Sequence, residues 1–275
     1  VFDRIYQLPI TSLAILAAVV FVGIYWVGCI FIRPVCRMFV RAGGDENGIV
    51  GTVLSSFGVF YGLLMSLIAV AAYQNLSDVS EVASNEASAA LALYRDVADF
   101  PATQSAPVRA HLRDYCRFAI DVEWPEQRKG RVPLGAFKFI GPVRNGILDL
   151  EVTTRRTELA QAEALKHLEI LTEQGRHRRF AAQTGIPAVM WYVVIVGTII
   201  NFGLMWMFDM KFITQLFLGG LLSFFIGTLI LLIAVLDRPY RSHEFGVSPQ
   251  PFELAYQVMM RDETGRSADT TNPEK

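Results

Sequence analysis

Cysteine is scarce. There are three in 275 residues, Cys29, Cys36 and Cys116, an odd number with no CxxC spacing. A structural zinc site or a disulfide framework needs paired thiols, so neither organises this chain, and the three read as structural thiols. Catalytic signatures are missing as well. The four histidines, His111, His167, His177 and His243, form no HExxH or comparable ligand spacing, and no GxSxG, Walker or GxGxxG loop occurs. No enzyme activity, metal site or cofactor is expected, and His167 and His177, on a charged helix, are expected to be solvated. An excess of one charge is also absent: 25 Lys and Arg stand against 26 Asp and Glu. A binder of phosphates concentrates basic residues, so nucleic acid is not an expected partner.

A further absence is local. Residues 5–32, 47–77, 180–208 and 212–236 contain no Asp, Glu, Lys or Arg, and each run is longer than the roughly 20 apolar residues that cross a bilayer core as helix. Four transmembrane helices are expected, at about 12–32, 49–73, 188–208 and 212–236. The first run is too long for a signal-peptide core and lacks a small-residue cleavage site, so it counts as a span. Residues 78–179, by contrast, hold fifteen basic and fifteen acidic residues and form the water-facing part. The expected class is therefore an all-α, four-transmembrane-helix integral membrane protein with long helices extending into a helical soluble domain. Its parts are 1–74 (spans one and two), 75–185 (soluble domain continuous with the second helix), 186–237 (spans three and four) and 238–275 (loop, short helix and tail).

No Gly or Pro lies between Gly62 and Pro101, so the second span is expected to continue as helix to about residue 99, reaching about 35–40 Å beyond the membrane. A helix over about 108–124, a loop at PEQRKGRVPLG (125–135) and a helix from about 137, with Gly141 and Pro142 a point of interruption, complete the soluble part. That last helix is expected to run on through residues 149–150 towards the membrane. RAGGDENG (41–48) is expected to turn the chain into the second span. The tight link at Asp209 and Lys211 makes the last two spans antiparallel neighbours, and a short helix near 253–261 precedes a polar tail. Arg4, Arg176, Arg178, Arg179, Arg238 and Arg241 flank the spans on one side, against Arg33, Arg37, Arg41 and Lys211 on the other. The positive-inside rule then puts the soluble domain in the cytoplasm of a multi-pass inner-membrane protein.

In the second span Gly51, Ser55, Gly58, Gly62, Ser66 and Ala69 form a stripe of small residues, while Phe57, Phe60, Leu64 and Ile68 make a bulky face. Small stripes let helices approach closely in lipid. One reading packs the stripe on a neighbour and fills the bundle core with the aromatics. The other turns Phe57, Phe60 and Leu64 towards a symmetry axis, as a hydrophobic constriction that gates by dewetting. Asp78, Glu81 and Glu86 follow just outside the span, where copies around an axis would make rings favouring cations; on a single helix they are a solvated face. Gly219, Ser223 and Gly227 are expected to pack the fourth span, and Asn201 to find an interhelical partner.

Four segments together, YQNLSDVSEVASNEASAALALYRD, the EW of DVEWPEQRKG, RRFAAQTGIPAVMW and LDRPYRSHEFGVSPQPF, resemble the bacterial family DUF4239, described as bestrophin-like, from about Tyr61 to Met260. The wider resemblance is to bestrophins, pentameric ion channels with four membrane helices per subunit and a helical cytosolic part. It implies a homo-oligomer, with five copies the expected number, in a lipid bilayer, conducting inorganic ions, and it implies a neck role for Phe57, Phe60 and Tyr61 in the segment FGVFYG. Animal bestrophins clasp calcium with an acidic cluster after the fourth helix. Here that stretch offers only Asp237 and Glu244, too few for the six to eight oxygens calcium takes. The expected function is thus an oligomeric ion channel lined by the second helix. The alternative is a non-conducting membrane scaffold or signalling protein whose soluble helices bind a partner. Polarity along the pore face separates the two, with Ser55, Ser66, Gln74 and Asp78 flanking the aromatic neck.

Overall fold

The computed structural model describes residues 10–35, 46–133, 135–182, 185–241 and 246–270. Arg4, Cys36, Arg37, Arg41, His243, Glu244 and most of the RAGGDENG turn lie outside the described residues. Among those described, nine α-helices and no strands occur: α1 Ile10–Phe31, α2 Glu46–Asp96, α3 Ala102–Phe118, α4 Trp124–Arg128, α5 Phe137–Leu148, α6 Arg155–Ala181, α7 Ala188–Met207, α8 Phe212–Leu236 and α9 Gln250–Thr270. Helices α1, α7, α8 and the first half of α2 are long and apolar enough to cross a membrane.

The helix over 46–96 is unbroken, and a 3₁₀ turn, Val97–Asp99, finishes it before Pro101. Four boundaries differ from expectation. Pro107 and Pro142 lie inside α3 and α5 without ending them, because each removes a single ladder hydrogen bond that packing outweighs. The break falls instead at residues 149–154, where Thr154 caps α6. Its side chain accepts from the Thr157 N–H, while the Thr157 hydroxyl oxygen accepts from the Thr154 N–H; cap-forming threonines outcompete continued helix. Part of the expected loop at 125–135 is the short helix α4, with Pro125 in its first turn, where a missing N–H costs nothing. And α9 runs to Thr270 instead of stopping near residue 261; Phe252, Ala255 and Met259 bury its first turns, and Glu263, past the expected end, pairs with Arg113 of α3.

The chain divides into two compact units: residues up to Leu76 with Gly185–Arg238, and Ser77–Thr184 with Pro239–Arg241 and the chain from Gly246. The C-terminal helix therefore belongs to the soluble unit and forms no separate part. In the membrane unit, rings fill the places glycines leave. Gly219 faces the Tyr25 ring, Gly227 Phe21, Gly197 Tyr61 and Gly28 Trp206, so closely that a methyl group at any of them would overlap the ring. Helix α1 packs along α8 in this way, and Ser223, buried between Gly219 and Gly227, donates to the Gly219 carbonyl at 2.6 Å. Asn201 is buried, but its Oδ1 has no partner among the described residues. Arg33 donates to the Met210 carbonyl at 2.7 Å, tying the end of α1 to the link between α7 and α8.

Candidate functional site

Helix α2 is two-sided along its whole length. In its membrane half Leu54, Phe57, Tyr61, Leu64, Met65 and Ile68 pack into the core of the membrane unit, a stripe at three- and four-residue steps. Tyr61 is locked there: its hydroxyl donates to the Val194 carbonyl at 3.0 Å, lies 2.8 Å from the Thr198 hydroxyl, and its ring stacks on Phe57 with centroids 5.8 Å apart. This corrects the expectation of a neck built from Phe57, Tyr61 and Leu64, because a buried phenol needs a hydrogen-bond partner and α7 supplies one. Phe60 alone of the four points away, 73% exposed, with Leu63, Leu67 and Val70 also open. The small stripe is open too. A methyl group at Gly58 or Gly62 would meet nothing within 4 Å, and Ser55 is exposed; among these glycines only Gly51 faces a neighbour, the Phe208 ring, and Ala69 at the far end packs against the core.

In the soluble half the same stripe continues as Val79, Ala83, Glu86, Ala90 and Leu93, all buried, while Gln74, Asp78 and Glu81 are exposed. Glu86 is thus not a mouth charge. It is fully buried, and its carboxylate accepts from Arg178 of α6, Nε at 2.6 Å and Nη2 at 3.1 Å, and from the Tyr115 hydroxyl. Its position on the inward stripe of α2 puts it opposite an arginine, and there an unpaired carboxylate would be far costlier than a paired one.

Arg178 is the centre of this cluster. Besides Glu86 it donates through Nη2 to Glu123 and through Nη1 to Gln127 Oε1 at 3.1 Å. Its guanidinium lies over the Trp124 ring at 4.8 Å and the Phe252 ring at 5.4 Å from the centroids, a charge placed where ring quadrupoles favour it. Neighbouring Arg179 stands 3.7 Å from the other Glu123 oxygen, so two cations balance two carboxylates. Residues 119–123 form a π-helical turn between α3 and α4. The turn lets Glu123 and Trp124 follow α3 into the buried centre, in keeping with the frequent placement of π-turns at functional sites. Burial by itself would lower the Arg178 pKa, but Glu86 and Glu123 outweigh it and hold the guanidinium well above its usual value. Burial, then Glu86, push the Tyr115 phenol up, and the same two causes push the Cys116 thiol up to about 12.

Sequence reasoning missed this cluster, although its parts were in view. The four segments quoted above supply Glu86, Glu123 with Trp124, Arg178 with Arg179, and Tyr240 with Phe252. Tyr240 meets Trp124 edge-on with centroids 5.8 Å apart. Two cations counted towards membrane orientation, Arg178 and Arg179, belong to this centre instead, and His167, expected to be solvated, sits half-buried 2.6 Å from Asp96. No cluster of metal-ligating residues occurs among the described residues.

Four spanning helices, one of them continuous into a soluble helical unit and open along one side in the membrane, define a helical multi-pass membrane protein. A family model described as the Bestrophin-like domain matches residues 19–252, and the chain belongs to that family. No curated protein sequence matches it. Its fold is similar to a crystal structure of a bacterial bestrophin homologue from Klebsiella pneumoniae, a point variant, at 12% identity and a TM-score of 0.67, with 92% of this chain and 99% of that one covered. A crystal structure described as a membrane protein, also a point variant, matches at 14% identity and a TM-score of 0.64, covering 91% and 98%.

Proposed function

We propose that the chain is one subunit of a homo-oligomeric ion channel whose pore is lined by the open side of α2. The observation that carries this is the two-sidedness of α2. One stripe is used up within the protomer, while Phe60, Leu63 and Leu67 remain uncovered in a helix that also leaves Gly58 and Gly62 free for close approach. Around a symmetry axis Phe60 forms the apolar constriction, dewetted when narrow. Asp78 and Glu81, exposed and without an ion-pair partner among the described residues, form the flanking rings that favour cations. Ser55, Ser66 and Gln74 wet the path between. Five copies, the number suggested by the bestrophin likeness, and a cytoplasmic soluble unit complete the reading.

The test is conductance of purified protein in planar bilayers, beside its mass in detergent. Phe60→Ala is expected to raise open probability. Asp78→Asn with Glu81→Gln is expected to move the reversal potential towards anions, most at low salt, because exposed charges are screened over about 8 Å at physiological ionic strength. A monomer, or a protein that carries no current in any variant, rules the reading out.

A further inference from the structure

The surface of the soluble unit carries a groove of about 660 Å³ between α5 and α6. Its floor is apolar, made by Phe137 and Ile140 of α5 with Leu165 and Leu168 of α6, and Phe137 is 50% exposed there. Its rim is charged in both signs: Arg144 and Arg176, Glu169 and Glu173. On other parts of this unit Arg155 pairs with Glu158, Lys166 with Glu163, Arg156 with Asp99, and Lys129 and Arg131 with Glu126, while Asp78 and Glu81 are exposed and unpaired among the described residues. In the groove Arg144, Arg176 and Glu169 have no ion-pair partner among the described residues, and Glu173 reaches only His177, at 3.6 Å. Small-ligand sites are commonly lined by apolar side chains with a few polar or charged groups that fix orientation, and this groove has both.

We propose that this groove binds a short zwitterionic peptide with apolar side chains. The spacing sets the size. Glu169 and Arg176 are two turns apart on α6, about 10 Å, and an extended peptide advances about 3.3–3.6 Å per residue. Three residues therefore bring an ammonium to Glu169 while the carboxylate meets the Arg176 guanidinium, which suits a bidentate carboxylate. The side chains cover Phe137 and Leu168. The far face of Phe137 carries the Arg179 guanidinium, 4.8 Å from its centroid, so the groove shares a ring with the buried charge centre. The proposal does not depend on the chain conducting ions.

The test is titration calorimetry on the full chain in nanodiscs, with trileucine and with N-acetyl-trileucine amide, which keeps the side chains and lacks both charges. Trileucine is expected to bind at least tenfold more tightly than the capped form. Arg176→Gln and Glu169→Gln, both at exposed positions and compatible with folding, are each expected to weaken trileucine several-fold and leave the capped peptide unchanged. Binding of trileucine is also expected to fall above about pH 8, where a terminal ammonium loses its proton. Equal affinity for both peptides would reduce the groove to a greasy surface and overturn the proposal. So would no binding of trileucine, or hydrogen-exchange protection of α5 that appears without peptide as protein concentration rises, since a second copy would then be the occupant.

Discussion

The membrane unit and the soluble unit are held together by opposite means. In the first, close approach does the work: Gly219, Gly227, Gly197 and Gly28 each leave room for one aromatic ring, and lipid, as apolar as the side chains, rewards packing more than burial. In the second, Arg178 and Arg179 sit out of water with Glu86 and Glu123, held by ion pairs and by the rings of Trp124 and Phe252, with Glu123 Oε1 and Arg179 Nη1 left without a hydrogen bond among the described residues. The comparison teaches where each unit is fragile. The membrane unit should fail when volume is added, and the soluble unit when charge is removed.

Removing Arg178 should be the larger injury. Arg178→Ala removes the arginine that pairs with both Glu86 and Glu123 and leaves both carboxylates buried, with Arg179 still 3.7 Å from Glu123, a change worth about 3–5 kcal/mol, read as a loss of thermal stability of the purified protein. Arg178→Lys should recover only part, because an ammonium cannot bond two carboxylates in a fork. Free guanidinium at low concentration should restore some stability to Arg178→Ala and none to the wild type. If methylammonium rescues equally well, charge alone and not the fork holds the centre.

Adding volume comes next. Gly219→Ala sets a methyl group against the Tyr25 ring and should cost about 1–3 kcal/mol. Gly62→Ala, with nothing within 4 Å, should leave the protomer as stable or slightly more so, since alanine is favoured over glycine in helices by about 1 kcal/mol. Denaturant titration in mixed micelles compares the two. Equal losses would mean that the open face of α2 is already covered within one chain.

Smaller effects probe the surroundings of the charge centre. The Cys116 thiol, buried beside Glu86 and pushed up to about 12, should resist iodoacetamide at pH 8 in the folded protein and react once it is unfolded, as mass spectrometry would record. Hydrogen bonds from Lys129 and Arg131 hold the Glu126 carboxyl below its usual value. A depressed carboxyl stabilises the fold above its unfolded pKa, and that contribution is lost as pH falls through the folded one. Glu126 is only partly covered, with 28% of its side chain exposed, and solvent screens the pairs, so Glu126→Gln should change acid stability barely or not at all.

How much of this was legible in the sequence also differs between the units. Charge-free runs marked the spans, because the bilayer requires about 20 apolar residues in a row, and the lack of Gly and Pro after Gly62 marked the continuity of α2. The inward side of α2 was not legible. Phe57, Phe60 and Leu64 differ little in hydropathy, and only the Tyr61 hydroxyl meeting Val194 and Thr198 decides which face is spent inside. The charge centre was further from reach still. Glu86 and Arg178 are 92 residues apart, and a carboxylate five and eight residues beyond two exposed ones reads as more of the same solvated face. The pattern that betrays it is the gathering of charged and aromatic residues in four separate segments, which becomes a site only when the fold brings them to one arginine.

The central claim is that the open side of α2 faces a conducting axis. In a background with Cys29, Cys36 and Cys116 replaced, Phe60→Cys and Met65→Cys channels in planar bilayers can be exposed to a charged methanethiosulfonate reagent. Rapid block of the Phe60→Cys current with the Met65→Cys current untouched is the predicted result; block at position 65 and none at position 60 would contradict it.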